Sequence, residues 1–137
     1  MLEYKRVLFK HRLVKFKMNS GFPVNSVLLQ RAAIAMEQEG RLGDFIEAGL
    51  QCMWEDDQKM DDKEVFVSAL TEKGFDGATL LERTQNHEVK QKLFVNTDAA
   101  VERGVFGAPT FFVGDEMFFG KETVGLVEEE IEKQSKS

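Results

Sequence analysis

The stretch Gly104-Val-Phe-Gly-Ala-Pro-Thr-Phe-Phe-Val-Gly-Asp-Glu-Met-Phe-Phe-Gly-Lys121 decides the fold of this chain. Within it, Pro109 directly precedes an apolar run from Thr110 to Val113. A strand tolerates proline at its first residue because no ladder hydrogen bond is lost there. Gly114-Asp115 has the Gly-X form of a tight two-residue hairpin turn. The stretch therefore predicts a β-hairpin whose return strand runs from Glu116 to Phe119.

The order of features around this hairpin resembles a known family. Gly-Val-x-Gly-x-Pro-Thr-Phe at 104–111, the hairpin, Phe-x-Gly and a final helix opening at Gly120-Lys121 resemble the C-terminal half of a DsbA-like thioredoxin fold. The closer resemblance is to the branch of 2-hydroxychromene-2-carboxylate isomerase and kappa-class glutathione transferase. It implies a cis peptide bond before Pro109, a rare form that a fold usually keeps for a use. An ordinary trans proline at a strand start is the alternative.

Length and composition describe one ordinary globular domain. At 137 residues the chain can bury a core, and 42% hydrophobic with 31% charged residues is a typical balance. A net charge of −6 argues against nucleic acid as the main partner. No apolar run has the length of a membrane span and no secretory signal is recognisable, so we expect no membrane partner. The single cysteine, Cys52, excludes an internal disulfide and favours a reducing, cytoplasmic compartment.

The first 18 residues are predicted to be a basic N-terminal segment. Six lysine and arginine residues stand against Glu3 alone in the first 17 positions. The segment can form a short helix with Tyr4, Val7 and Leu8 on one side, although Val7-Leu8-Phe9 fits a strand as well. Two interpretations are open, a basic arm that binds an acidic surface and a solvated, frayed chain start. His11 has no Cys, Asp or Glu at ligand spacing, so no metal site is expected.

The predicted fold class is α/β and mostly helical, an incomplete thioredoxin-like fold with an all-helical insertion domain. Residues 19–86 are predicted to be that insertion domain, and residues 87–137 the C-terminal half of the thioredoxin-like domain. Helices are expected over about 27–39, 44–56, 62–72, 76–84, 87–103 and 122–133. Apolar residues at helical spacing mark their inward faces. The predicted inward positions are Val27, Leu28, Ala32, Ile34, Ala35, Met36, Phe45, Ile46, Ala48, Gly49, Cys52, Met53, Val65, Phe66, Ala69, Leu70, Leu80, Leu81, Val89, Leu93, Phe94, Ala100, Val101, Val124, Leu126, Val127 and Ile131.

Polar residues mark the starts of these helices. Asn25 or Ser26 is expected to cap the first of them, and Asp61-Asp62-Lys63-Glu64 has the form of a capping box. In the resembling families a comparable loop touches the substrate pocket, so Asn25 is also a weak candidate for that pocket. A plain cap explains Asn25 equally well. Cys52 lies inside an apolar stripe and is interpreted as an inert buried thiol.

The sheet is predicted to be incomplete. The run Thr110–Val113 is apolar on both faces, which is typical of a strand covered on both sides, and an isolated two-stranded ribbon is marginal in water. The resemblance implies an N-terminal strand-helix-strand unit beside this hairpin, and that unit carries the catalytic serine of the isomerase branch. The chain offers no such segment. Either the reading frame is truncated, which is the preferred interpretation, or residues 1–17 partly replace the unit, and we expect no catalytic residue in this chain. Ser20, Ser26 and Ser68 lack a neighbouring base and are no substitute.

The resemblance also implies a glutathione site in the C-terminal half. The backbone of Ala108, beside Pro109, is expected to pair with the cysteinyl part of glutathione, and Phe119 to wall the pocket. The helix opening at Gly120-Lys121 offers N–H groups to a carboxylate. Glu122 is expected to face the γ-glutamyl ammonium, although the family commonly has Ser-Asp or Asn-Asp where this chain has Lys121-Glu122. That substitution puts the γ-glutamyl contact in doubt.

Three functions follow in order of preference. The first is a glutathione-dependent isomerase or transferase acting on a small aromatic substrate, in a truncated form. The second is a disulfide oxidoreductase of the same superfamily, which a single buried cysteine disfavours. The third is a non-catalytic helical module that binds a partner through the exposed hairpin edge. The oligomeric state is open, and a homodimer is one option.

Overall fold

The computed structural model describes residues 2–136 and is mostly helical. Its elements, in chain order, are α1 (Leu2–Lys10), α2 (Val27–Gln38), α3 (Leu42–Trp54), α4 (Lys63–Glu72), α5 (Gly77–Arg83), α6 (His87–Glu102), β1 (Thr110–Val113), β2 (Glu116–Phe119), a 3₁₀ turn (Lys121–Thr123) and α7 (Val124–Ser135). The chain divides into two compact units, Met1–Phe94 and Val95–Ser137. The first contains the helical core and the second contains the hairpin with α7.

The core of the first unit is built from the apolar faces of α2 to α5 and the first turn of α6. Fully buried side chains in this core include Phe66, Met60, Leu70 and Cys52. Phe45 and Phe75 meet edge to face with ring centroids 5.9 Å apart. These contacts explain why the sequence pattern predicts this part well, since helices of this length are stabilised mainly by burying one face.

The N-terminal segment is helical where the sequence allowed either a helix or a strand. Tyr4 in α1 contacts Phe16 with ring centroids 6.1 Å apart, and Phe16 stacks on Trp54 of α3 at 5.7 Å. The backbone N–H of Lys17 donates to the carbonyl of Trp54 at 2.6 Å. The segment is therefore packed against α3 through an aromatic series, and Phe9 at its far side is 89% exposed.

A buried asparagine fastens the following loop to the end of α3. Asn19 is 3% exposed, and its Nδ2 donates to the carbonyls of Met53 at 2.9 Å and Gln58 at 2.8 Å. Its Oδ1 accepts from the N–H of Gly21 at 2.9 Å. Because burying an amide is costly unless its polar atoms are paired, this residue holds the loop in one conformation.

The predicted helix ends are close to the observed ones, with one correction. The cap of α4 is Asp62, whose Oδ1 accepts from the N–H groups of Glu64 at 2.9 Å and Val65 at 3.1 Å. The capping box expected from Asp61 and Glu64 is therefore wrong by one residue. The carboxylate of Asp61 instead accepts from the N–H of Asn25 at 3.0 Å, which links the starts of α2 and α4.

Seven predicted inward positions are instead exposed. They are Val27, Ile46, Phe94, Val101, Val124, Leu126 and Ile131, with exposed fractions from 40% to 62%. Helical spacing assigns a residue to a face, but burial requires another element against that face. The described part of the chain places no such element over these side chains, and they leave apolar surface on both units.

The hairpin has the predicted strands, turn and register. β1 and β2 are antiparallel, with Thr110 opposite Phe119 and Val113 opposite Glu116. This register leaves Gly114-Asp115 as the two-residue turn, and Gly114 has a φ of +59°, which glycine adopts without steric cost. Within residues 2–136 the sheet contains these two strands. All four residues of β1 are half-buried, which agrees with a strand that α7 contacts on one side.

Candidate functional site

The predicted site residues of the hairpin unit meet where β1 begins and β2 ends. The Ala108–Pro109 peptide bond is cis, as is Phe22–Pro23 in the first unit. The N–H of Gly120 donates to the carbonyl of Pro109 at 2.9 Å, one step beyond the Thr110–Phe119 pair. This bond holds the loop before β1 against the residue that opens the final helical segment. Ala108 and Pro109 are both exposed there.

The backbone of Ala108 is open to a ligand. Between residues 2 and 136, no hydrogen bond engages its N–H or its carbonyl. The neighbouring backbone is fixed, since the hydroxyl of Thr110 donates to the carbonyl of Gly107 at 2.7 Å. The N–H and carbonyl of Ala108 are exposed on a loop whose flanking residues are hydrogen-bonded, so they can pair with an extended peptide as the edge of a sheet does.

Aromatic side chains cover one flank of this loop. Phe119 contacts Phe106, with ring centroids 4.6 Å apart and an interplanar angle of 47°. The Phe119 ring also lies over Gly107, where an added Cβ would approach the ring to 2.8 Å. In the sequence this glycine is only one position of the motif at 104–111, whereas the structure shows that it makes room for the Phe119 ring. Phe119 keeps 44% of its surface exposed, so one side of the wall is accessible.

Lys121 and Glu122 pair with each other at the start of the helical segment. The ammonium of Lys121 contacts Oε1 of Glu122, and both side chains are largely exposed. The hydrogen bond from Lys121 lowers the pKa of Glu122 below its ordinary value, so the carboxylate is charged at neutral pH. An ammonium group of a ligand at this position would therefore compete with Lys121 for the same carboxylate.

The turn after Gly120 presents the beginning of a helix. The N–H and hydroxyl of Thr123 both donate to the carbonyl of Gly120, at 3.1 Å and 2.8 Å. Gly120 has a φ of +95°, a conformation that side chains rarely adopt. The predicted helix start at Glu122 is therefore a 3₁₀ turn, Lys121–Thr123, that continues into α7.

Asn25, the weak pocket candidate, lies in the other unit. Its Oδ1 accepts from the N–H of Val27 at 3.0 Å, and its own N–H donates to Asp61. Ser26 is the formal cap residue, but its side chain makes no capping bond. The start of α2 thus accounts for the side-chain oxygen of Asn25, and a role in a substrate pocket stays a prediction.

Cys52 is fully buried in α3. Burial raises the pKa of its thiol above the ordinary value, which keeps the sulfur protonated and unreactive at neutral pH. A disulfide oxidoreductase needs an accessible thiolate with a second cysteine, and the sequence has no second cysteine.

Among residues 2–136, no group of three or more His, Cys, Asp or Glu side chains is arranged to hold a metal ion. No helix in the same range is both long and apolar enough to cross a bilayer.

Sequence reasoning missed one residue of this unit. The Arg103 guanidinium lies 3.5 Å from the centroid of the Phe112 ring, and its Nη2 donates to the carbonyl of Gly114 at 3.2 Å. Arg103 thereby supports the hairpin from the end of α6. The available signal was weak, because an arginine in the last turn of a helix is typical of the helix dipole alone.

These features are those of a DsbA-like thioredoxin domain, and the chain belongs to that family. The model of the family described as "DSBA-like thioredoxin domain" matches residues 6–132, which is most of the chain. The fold agrees with a solved structure of 2-hydroxychromene-2-carboxylate isomerase. The two superpose with a TM-score of 0.78 and 20% sequence identity, over 98% of this chain and 67% of that one.

Two curated relatives carry the same name. The chain is 30% identical to 2-hydroxychromene-2-carboxylate isomerase of Pseudomonas sp. (strain C18), over 69% of this chain and 43% of that protein. It is 34% identical to the enzyme of that name from Pseudomonas putida, over 49% of this chain and 34% of that protein. The chain thus spans less than half the length of these relatives. The sequence resemblance to the DsbA-like family and to its isomerase branch is confirmed.

Proposed function

We propose that this chain carries the glutathione-binding part of a glutathione-dependent isomerase or transferase that acts on a small aromatic substrate. The names of the curated relatives support the reaction class. The exposed, unengaged backbone of Ala108 carries the proposal within this chain. It lies beside Pro109, on a loop that the Gly120 N–H ties to the end of the hairpin.

The residues of this corner suit the three parts of the tripeptide. The N–H and carbonyl of Ala108 pair with the cysteinyl backbone, as one strand pairs with another. Glu122, a charged carboxylate whose pKa Lys121 lowers further, faces the ammonium group. Lys121 and the backbone N–H groups of the 3₁₀ turn attract a carboxylate, because the start of a helix carries partial positive charge. Phe119 forms an apolar wall against which the aromatic substrate would lie.

When bound, glutathione would supply the thiol for this reaction. In this proposal the residues of this corner bind and orient the tripeptide, and no side chain of this chain is assigned to act on its thiol. In the resembling branch a serine hydroxyl stabilises the thiolate, and Ser20, Ser26 and Ser68 are not assigned that role because none has a neighbouring base in the sequence. We therefore assign binding to this chain and no catalytic residue.

Titration of the purified chain with reduced glutathione tests the proposal. We expect saturable binding by calorimetry, and Phe119→Ala should weaken it by about fivefold, since losing part of an aromatic contact costs roughly 1 kcal/mol. Phe94→Ala is the matched control, because Phe94 is also an exposed phenylalanine and has no role in the proposed site. A folded chain that shows no heat of binding at millimolar glutathione would contradict the proposal and favour the interaction module.

The same chain should show no turnover. With no catalytic serine assigned to it, we expect no glutathione-dependent loss of a hydroxychromene carboxylate and no conjugation of a chlorinated nitroarene, measured by absorbance with saturating glutathione. The control is an equal concentration of free glutathione, whose uncatalysed rate sets the baseline. A rate above that baseline, abolished by heating the protein, would show that a residue of this chain acts on the thiol.

A further inference from the structure

Exposed apolar side chains and basic side chains lie together on the N-terminal segment. Phe9 and Val14 are 89% and 90% exposed, and Leu13 is 50% exposed. These three side chains line one open cleft with Lys10 and Arg12. We call these five residues the N-terminal patch. Single exposed apolar residues are ordinary, but a contiguous group with polar side chains around it marks an interaction surface.

The turn at the end of α1 gives this patch a fixed backbone. The N–H of Leu13 donates to the carbonyl of Leu8 at 2.9 Å, and the N–H of Arg12 donates to the carbonyl of Phe9 at 3.3 Å. These are the two hydrogen bonds of a Schellman motif. Arg12 has a φ of +53°, the left-handed conformation that glycine usually supplies at this position. The motif therefore places Leu13 beside the last turn of α1.

The other side of the segment is occupied by contacts within the first unit. Tyr4 and Phe16 contact each other, and Phe16 stacks on Trp54 of α3. These rings attach the segment to α3, while Phe9 and Val14 remain at the surface. The patch is therefore available to a partner without release of the segment from the first unit.

The segment is basic in a chain that is acidic as a whole. With six bases and one acid, residues 1–17 have a formal charge of +5, whereas the whole chain has −6. All six bases are exposed, and within residues 2–136 none of them forms an ion pair. They are Lys5, Arg6, Lys10, Arg12, Lys15 and Lys17. A fitting partner is therefore negatively charged and also accepts apolar side chains.

A bilayer surface that contains anionic lipids has both properties. Its headgroup region accepts apolar side chains to a depth of about 5–10 Å, and its negative potential attracts lysine and arginine. A protein partner would need an apolar pocket of matching shape with acidic groups around it, whereas a lipid surface adapts to the side chains. The expectation of no membrane partner rests on the length needed to span a bilayer, and binding at the surface requires no span.

We propose that the N-terminal patch binds the surface of membranes that contain anionic lipids. Phe9, Leu13 and Val14 enter the headgroup region, and Lys10 and Arg12 lie against the lipid phosphates and carboxylates. The contact uses residues of the first unit alone. It is therefore independent of the glutathione site proposed for the hairpin unit.

Co-sedimentation with lipid vesicles tests this surface. The wild-type chain should bind vesicles of phosphatidylserine and phosphatidylcholine at least about tenfold more tightly than vesicles of phosphatidylcholine alone. Lys10→Gln/Lys15→Gln should weaken binding to the mixed vesicles by about twentyfold, because two attracted charges are lost. Phe9→Ala/Val14→Ala should weaken it by about tenfold, because two inserted side chains are truncated. All of these side chains are exposed, so the variants should keep the wild-type circular dichroism spectrum.

Two control variants separate this patch from the surface in general. Lys63→Gln/Lys92→Gln removes two exposed charges outside the segment, and Phe94→Ala truncates an exposed phenylalanine of α6. Both should bind the mixed vesicles as the wild type does.

Several results would overturn the proposal. They are a wild-type chain that stays in the supernatant with the mixed vesicles, equal affinity for both kinds of vesicle, and unchanged binding in either patch variant. Retention of the wild type on immobilised polyglutamate without binding to vesicles would overturn it in favour of an acidic protein partner.

Discussion

Gly77→Ala is expected to destabilise the first unit by about 3 kcal/mol. Gly77 begins α5 where that helix packs on α4. A Cβ added there would lie 2.3 Å from the carbonyl oxygen of Val67 and 2.8 Å from Oγ1 of Thr71. The first of these atoms belongs to the backbone of α4 and cannot rotate away, so the two helices must separate. Overpacking of this kind typically costs about 1–3 kcal/mol or more.

Urea unfolding followed by Trp54 fluorescence measures this effect, because Trp54 is the single tryptophan and lies in the first unit. Gly43→Ala is the matched control. Gly43 is a helical glycine of α3 with nothing within 4 Å of its added Cβ, and alanine there should raise stability by up to about 1 kcal/mol. Equal and small effects at both positions would show that α4 and α5 are not packed as described.

Phe66→Ala should have a larger effect, about 4 kcal/mol. The Phe66 side chain is the largest in the core with no exposed surface. It lies in α4, in the cluster that also contains Met60, Leu70 and Cys52. Removing the ring loses its burial and leaves a cavity that rigid helices fill poorly, and such substitutions cost about 3–5 kcal/mol.

The same unfolding experiment tests this prediction against Phe94→Ala, since Phe94 is 62% exposed on α6. That control should change the free energy of unfolding by less than about 1 kcal/mol, because the substitution removes little buried apolar area.

A thiol-labelling assay gives a second measurement of the same variant. Cys52 belongs to the same buried cluster, so Phe66→Ala should also speed its labelling by a thiol reagent under native conditions. An unchanged midpoint in Phe66→Ala would place this ring outside the core.

Much of the second unit could be predicted from short-range sequence signals. The hairpin strands and the Gly114-Asp115 turn depend on backbone preferences within four residues, and these leave few alternatives. Ala108, Pro109 and Phe119 could be grouped as one site because they lie at the two ends of a short hairpin. Gly107 could not be assigned its role, since its contact with the Phe119 ring depends on the loop path before β1.

Other predictions failed where burial depends on a distant partner. Val124 and Ile131 have the spacing of inward residues, yet they are about half exposed. Asp62 caps α4 where Asp61 was predicted to do so, and the Asp61 carboxylate instead accepts from the backbone N–H of Asn25, 36 residues away. A pattern within one helix contains no information on such a contact.

By itself, the sequence determined the helical character of the chain, its hairpin and turn, the burial of Cys52 and the membership of the DsbA-like family. The helices, the hairpin and the burial of Cys52 follow from local backbone preferences and from the spacing of apolar residues, and the family follows from the resemblance of residues 104–121. Only the tertiary structure decided which apolar faces are covered, that Gly107 makes room for the Phe119 ring, and that Arg103 lies over the Phe112 ring. Those features arise from contacts between side chains and segments that local patterns leave undetermined, and each depends on the positions of all the elements around it.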